Sequence, residues 1–331
     1  MEHERTCILV ENESTLGPVF SIDPRRCADA IARRPGWADR IEVIFSTDMD
    51  QFHSAIGRAD VLIGWRFPHR DLARLAPRLR MVHLTGAGVE HLAPFDWVPA
   101  GVAVTNNRGV HAPKCEEFVA MALLFLANEL PALWASQLQE RWSPRYTRSI
   151  AGRRATVVGV GSMGGAAAHA CRRLGLDVVG VRRSGGSHPA VRLMYGPNHL
   201  KQALDGTDFV IVSTPLTRST RHLIGASELA CLAPGAALIN IARGGVVDNQ
   251  ALSAALDRGD LSGAWLDVFE QEPLPAEAME WRMTNTVITP HCSSDDADAY
   301  IPRTLELILD NVERLVAGQP LKAQVDPVLE Y

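Results

Sequence analysis

No cysteine motif marks this chain. Its six cysteines stand at 7, 27, 115, 171, 231 and 292, far apart, without C-x-x-C or Cys/His ligand spacing. Neither a disulfide framework nor a metal site is therefore expected, and the thiols are read as reduced. Positive charge is not in excess. Lys and Arg number 33 against 38 Asp and Glu, for a net charge of −5, which removes the electrostatic ground for a nucleic-acid or anionic-membrane partner. The longest apolar run, Phe118 to Ala127, is too short to span a bilayer. The opening "MEHERTCILVENES" lacks both the basic start and the apolar core of a secretion signal, so a cytoplasmic location is expected. No internal repeat and no low-complexity segment is visible.

What is present is alternation. The 331 residues are 47% hydrophobic, enough for two domains with cores of their own. Candidate strands are "CILV" (7–10), "IEVIF" (41–45), "DVLIGW" (60–65), "MVHLT" (81–85) and "VAVTN" (102–106). A long apolar segment follows, "CEEFVAMALLFLANEL" (115–130), which reads as a helix running to Pro131. The strand pattern restarts with "ATVVGVG" (155–161), "DVVGVR" (177–182), "FVIVST" (209–214), "AALINI" (236–241), "GAWLDV" (263–268) and "TVITP" (286–290). From Tyr300 to Val316, Leu305, Ile308, Leu309, Val312 and Val316 fall at helical spacing. Strands alternating with helices imply α/β architecture with parallel, doubly wound sheets.

"VVGVGSMGG" carries G-x-G-x-x-G at Gly159, Gly161 and Gly164, after an apolar strand and ahead of a helix-like segment. That context is what a dinucleotide-binding turn requires. Gly159 permits the tight turn, Gly161 the approach of backbone N–H groups to a pyrophosphate, and Gly164 close helix–strand packing. The helix N-terminus adds a positive dipole end. The next strand usually closes on an acid that bonds the adenosine ribose. Here it closes on Arg182 and Arg183, followed by Ser184. Guanidinium groups suit a 2′-phosphate, and one charge-assisted contact of about 1.5–3 kcal/mol is a factor of roughly ten to a hundred in affinity. The strand end thus favours NADP(H), with NAD(H) possible.

Three further motifs end strands: "INIARGGVVD" (239–248), "LDVFEQEPLP" (266–275) and "TPHCSS" (289–294). They supply Arg243, Asp267, Glu272 and His291. Singly, Arg243 reads equally as a salt-bridge partner, Glu272 as a loop charge and His291 as a strand-end cap. Together they offer a fork for a carboxylate and an imidazole beside an acid, the groups needed to reduce a keto acid.

With "TGAGVEHL" (85–92) and "PLTRSTRHLIG" (215–225), the order and spacing of these motifs resemble the D-isomer-specific 2-hydroxyacid dehydrogenases. The likeness extends over most of the chain and is nearest the glyoxylate/hydroxypyruvate reductase branch. The resemblance implies two Rossmann-like or flavodoxin-like domains flanking an active-site cleft. One would be a discontinuous substrate domain, 1–105 plus 296–331, and the other a nucleotide domain, 106–295. Arg243 would anchor the carboxylate, His291 would be the acid/base and Glu272 its partner. Asp267 would hold the nicotinamide carboxamide or its loop. Ser162, Met163, Thr214, Pro215, Thr220, Ile241, Ala242 and Ser293 would line the cofactor. Gly86, Ala87 and Gly88 read as an anion nest for the substrate or as a plain turn, and Trp65 as a pocket wall or equally as a core residue, with Arg66 a second cation beside it.

The implied reaction is reduction of a small 2-keto acid to the D-2-hydroxy acid. The implied partner is a second copy of the chain, through the nucleotide domain; by composition, Trp134, Trp142 and Tyr146 are candidates for that interface. Two rivals share the fold: a dehydrogenase of formate or phosphite, against which Glu272 weighs, and a nucleotide-sensing, corepressor-like binding protein. The chain departs from the family pattern after His291, where "HCSSDDADAY" brings Asp295 and Asp296 toward a site meant for anions. Lys114 stands where the family more often has a small residue. Histidines 53, 69, 83, 111, 169, 188, 199 and 222 are expected as caps, core or surface groups.

Overall fold

Short runs of β-branched and apolar residues become strands, and in five of the twelve strands among the described residues every residue is buried. That is the mark of parallel sheets covered on both faces. A computed structural model describes residues 5–13 and 17–327 and divides into two units, Met1–His111 with Asp296–Tyr331, and Ala112–Asp295. The expected domain ends at 1–4 and 328–331 lie outside the described residues.

Unit 1 holds β1 (Thr6–Glu11), β2 (Ile41–Ser46), β3 (Val61–Gly64), β4 (Met81–Leu84) and β5 (Ala103–Asn106). Their parallel order is β2-β1-β3-β4-β5. The flank 300–316 is a helix as expected, Tyr300–Val316, and its Ile301, Leu305, Ile308, Leu309 and Val312 join Ile8, Val10, Ile63 and Met81 in one core cluster. The chain leaves this unit between His111 and Ala112, not between 105 and 106. Asn106 N–H still donates to Ala323 O (3.0 Å) and Asn107 N–H to Gly86 O (3.0 Å), tying both asparagines into unit 1.

Unit 2 holds β6 (Arg154–Val158), β7 (Asp177–Val181), β8 (Leu193–Tyr195), β9 (Phe209–Val212), β10 (Ala236–Asn240), β11 (Leu261–Leu266) and β12 (Thr286–Ile288). The order is β12-β11-β10-β9-β6-β7-β8, again parallel. Sheet order reverses between β6 and β9, the switch point where such sheets take their ligands. β8 escapes the sequence pattern because it is a three-residue edge strand with Leu193 exposed.

The single helix expected to reach Pro131 is two helices, Ala112–Ala127 and Leu130–Leu138, bent by 64°. Glu129 takes a left-handed conformation (φ 50°) and Pro131 sits in the first turn of the second helix, where its missing N–H costs nothing. Among the described residues no single helix is long and apolar enough to cross a membrane.

Candidate active site

At the switch point of unit 2, β6 runs into the glycine turn. Gly159 has φ 99°, and a Cβ there would lie 2.7 Å from Thr214 N. A Cβ on Gly164 would lie 2.1 Å from Gly159 O. Gly161, the N-cap of helix Ser162–Arg173, faces nothing within 4 Å. Two glycines are thus required by packing, and the third leaves open space in front of a helix N-terminus whose first N–H groups have no intrahelical acceptor. Ser162 and Met163 form the first turn, with Met163 O accepting from Cys115 Sγ at 3.6 Å. Ser213 Oγ donates to Gly159 O at 2.9 Å. Thr220 closes the facing loop, its hydroxyl donating to Pro215 O at 2.7 Å.

β7 ends at Val181, and Arg182 N–H donates to Tyr195 O (2.9 Å). Arg182 is half-buried, while Arg183 and Ser184 are exposed. The loop then folds back so that His188 packs on Gly165, 2.9 Å from where a Cβ would stand, and 5.2 Å from the His169 ring. Burial, His169 and Arg182 together lower the His188 pKa. Arg182 and Arg183 are thus the cations at the strand end. Gly165 was not marked in the sequence and His188 was read only as a cap, core or surface group, because a return contact of that length leaves no local signal.

β10, β11 and β12 are neighbours, and the segments after them carry Arg243, Asp267, Glu272 and His291. Ile241 and Ala242 bury their side chains in the two cores of unit 2, leaving half-buried Arg243 as the first side chain clear of them. A Cβ on Gly244 would lie 2.0 Å from the Phe269 carbonyl carbon, so the Arg243 turn sits directly on the segment leading to Glu272. The doubled glycine of "ARGG" was the available signal for that approach.

His291 Nδ1 bonds Glu272 Oε2 at 2.6 Å, and Glu272 Oε1 accepts from Phe269 N–H at 2.8 Å. The Glu272 hydrogen bond raises the His291 pKa against the opposing pulls of burial and Arg243. Burial alone would raise the Glu272 carboxyl, but the bonds from His291 and Phe269 outweigh it and hold it low.

His291 itself has φ 50°. Its backbone is held by Asp267, whose carbonyl accepts from His291 N–H at 2.8 Å. The fully buried Asp267 carboxylate takes the Thr289 hydroxyl (2.6 Å) and the N–H groups of Cys292 and Ser293 (both 3.1 Å). Of the two expectations for Asp267, the geometry supplies the loop.

Asp296 belongs to unit 1. Its Oδ1 accepts from Asp298 and Ala299 N–H at 3.1 and 2.8 Å, and Oδ2 from Arg303 at 3.4 Å. It therefore acts as a turn cap ahead of the last helix. Lys114 is paired with Glu117 on its own helix.

In unit 1, Gly86 follows β4 directly under the Trp65 indole, and a Cβ there would lie 2.1 Å from the ring. The ring also stacks on His91 at 3.9 Å, whose Nε2 donates to Trp65 O at 2.8 Å. Arg66 reaches Glu13 at 3.3 Å.

The NAD binding domain of the D-isomer specific 2-hydroxyacid dehydrogenases, as a family model, matches residues 120–293. A glyoxylate reductase of Korarchaeum cryptofilum is 32% identical over 75% of this chain and 76% of its own length. Glyoxylate/hydroxypyruvate reductase A of Salmonella typhi is 32% identical over 82% of this chain and 88% of its own. A D-isomer specific 2-hydroxyacid dehydrogenase from Xanthobacter autotrophicus Py2, solved with NADPH and MES, superposes with a TM-score of 0.85 at 35% identity over 98% of this chain and 99% of that one. The NADPH-dependent glyoxylate/hydroxypyruvate reductase of Sinorhizobium meliloti, solved with NADP and sulfate, gives 0.81 at 28% identity over 99% and 100%.

Proposed function

Because the chain belongs to the D-isomer specific 2-hydroxyacid dehydrogenase family, we propose that it is an NADPH-preferring reductase of small 2-keto acids, glyoxylate and hydroxypyruvate first among them. The observation that carries this reading is the His291–Glu272 pair, which shares neighbouring strand ends with Arg243. The open space at Gly161 and the helix N-terminus fit a pyrophosphate. Arg182 and Arg183, with Ser184, fit a 2′-phosphate, and the dehydrogenase solved with NADPH and the reductase solved with NADP support that choice.

Bound there, NADPH supplies a hydride to the carbonyl carbon. The chain's own residues do the rest. Arg243 forks onto the substrate carboxylate and carbonyl oxygen, fixing the face presented. In unit 1, the N–H groups of Gly86, Ala87 and Gly88 suit a carboxylate, and the Trp65 indole lies over Gly86. His291, held protonated by Glu272, gives its Nε2 proton to the carbonyl oxygen as the hydroxyl forms.

The same family reading supports a homodimer through unit 2. Leu138, Trp142 and Tyr146 are 82%, 98% and 95% exposed and Trp134 is 54% exposed, an apolar surface suited to a second copy. Light scattering of Trp134→Ala and Trp142→Ala should show monomers; unchanged mass would remove that surface from the interface.

The activity is tested by nicotinamide absorbance with glyoxylate, hydroxypyruvate, pyruvate and phenylpyruvate, each with NADPH and NADH. Oxidation of NADPH that His291→Ala loses is the expected result. Silence with every keto acid would overturn it.

A further inference from the structure

The turn after β4 is asymmetric in its hydrogen bonding. The carbonyls of Thr85, Gly86 and Ala87 each have a donor. Thr85 O accepts from Asn107 Nδ2 at 2.6 Å and from the Tyr300 hydroxyl. Gly86 O accepts from Asn107 N–H at 3.0 Å, and Ala87 O from Asn106 Nδ2 at 2.8 Å. The N–H groups of Gly86, Ala87 and Gly88, by contrast, donate to no acceptor among the described residues.

Acceptors tied inward and donors left unmet make a site for an anion. The ties come from two asparagines at the end of β5 and from the last helix, segments that the sequence reading did not connect with substrate.

Asn107 is itself fixed from the far side. Its Nδ2 also lies 2.8 Å from Thr304 Oγ1 and 3.1 Å from the Tyr300 hydroxyl, so its Oδ1 faces His83 Nε2 at 3.0 Å. An amide oxygen only accepts. Nε2 therefore carries the hydrogen, and His83 Nδ1 accepts from the Thr105 hydroxyl at 2.9 Å. His83, Thr105, Asn107 and Thr304 are fully buried. Such a network has one satisfied arrangement, which sets the side-chain rotamers that reach the turn.

We infer that Asn107, with Asn106 and Tyr300, is a positioning residue for the keto acid: the three hold the Gly86–Gly88 turn with its N–H groups outward for the substrate carboxylate. This rests on the reading proposed above for that turn. Burial pulls the His83 pKa down to about 4, so the frame stays in one protonation state across the working range.

The test reads KM against kcat, and binding apart from turnover. Asn107→Ala should raise KM for glyoxylate about tenfold, and Asn106→Ala and Tyr300→Phe about threefold each, as loss of single hydrogen bonds that orient a binding group. The values of kcat and the NADPH Kd should stay within about twofold, and the pH profile should not move. Oxalate titrated calorimetrically into the full chain should lose affinity in the same order.

A KM within twofold of wild type in all three variants would overturn the inference. So would a NADPH Kd that rises in step with KM, or a fall in kcat alone. If Asn107→Ala does not fold, the two milder variants decide. Wild-type protein that ignores keto acids yet binds oxalate with this variant ranking would remove the proposed function and keep the inference; failure to bind oxalate as well would remove both.

Discussion

Each unit holds a histidine in a defined hydrogen-bond pair, and the two are driven in opposite directions. His83 in unit 1 is fully buried between an amide and a hydroxyl, and burial takes its pKa to about 4. His291 in unit 2 is exposed and faces a carboxylate at 2.6 Å, which raises its pKa. The partner and its depth decide the sign: neutral partners in a dry site favour imidazole, a carboxylate near water favours imidazolium. Unit 1 thus holds its histidine as a fixed neutral strut, whereas the setting of the unit 2 histidine suits the proton transfer proposed for it. The lesson is that a ring's neighbours identify its task better than its presence in a cleft does.

The comparison breaks first at His291. His291→Ala should lower kcat about 10²–10⁴-fold with the NADPH Kd unchanged, read by nicotinamide absorbance and by fluorescence titration. A loss under tenfold would make it an ordinary strand-end histidine.

His83 should show its difference in stability. Its folded pKa lies below the unfolded value, so between them the unfolded chain binds the extra proton. Stability is then lost as pH falls from about 6.5 toward 4, by on the order of 3 kcal/mol. Urea midpoints measured across that range should lose this slope in His83→Gln; an unaltered slope would place the titration elsewhere.

Arg182→Ala extends the contrast to the cofactor end of unit 2, where charge is again the working property. NADPH affinity should drop roughly ten- to a hundredfold while NADH affinity holds. Equal losses for both would deny a 2′-phosphate contact.

The smallest effect sharpens the His291 side. Its raised pKa keeps the imidazolium to higher pH, so reduction should decline as pH climbs through that raised value. Glu272→Gln removes the largest cause, and the decline should begin at lower pH. A profile that does not move would mean that Glu272 only orients the ring.

Much of this was legible in the sequence because parallel strands buried on both faces are runs of apolar residues with turn signals at their ends. All strands but β8 were visible in that way. The helix 115–130 was misjudged because Pro131 was taken as a stop, whereas a proline is equally at home in a first turn. The glycine turn could be read because packing and ligand approach both restrict it to glycine. Arg243, Glu272 and His291 could be placed only by the order of their motifs, since their meeting depends on three neighbouring strands. The His83–Asn107–Tyr300 frame could not be read at all. It joins residues 83, 107 and 300, and each looks by itself like ordinary core or cap material.

One consequence of the His291 backbone remains. At φ 50° the residue occupies a conformation that glycine takes at no steric cost and that side chains pay for, by about 1 kcal/mol or more. A glycine there would relieve that cost while erasing the imidazole, at some loss through the freer unfolded chain. On the proposed role of His291, an inactive variant is thus one substitution away and need not fold badly.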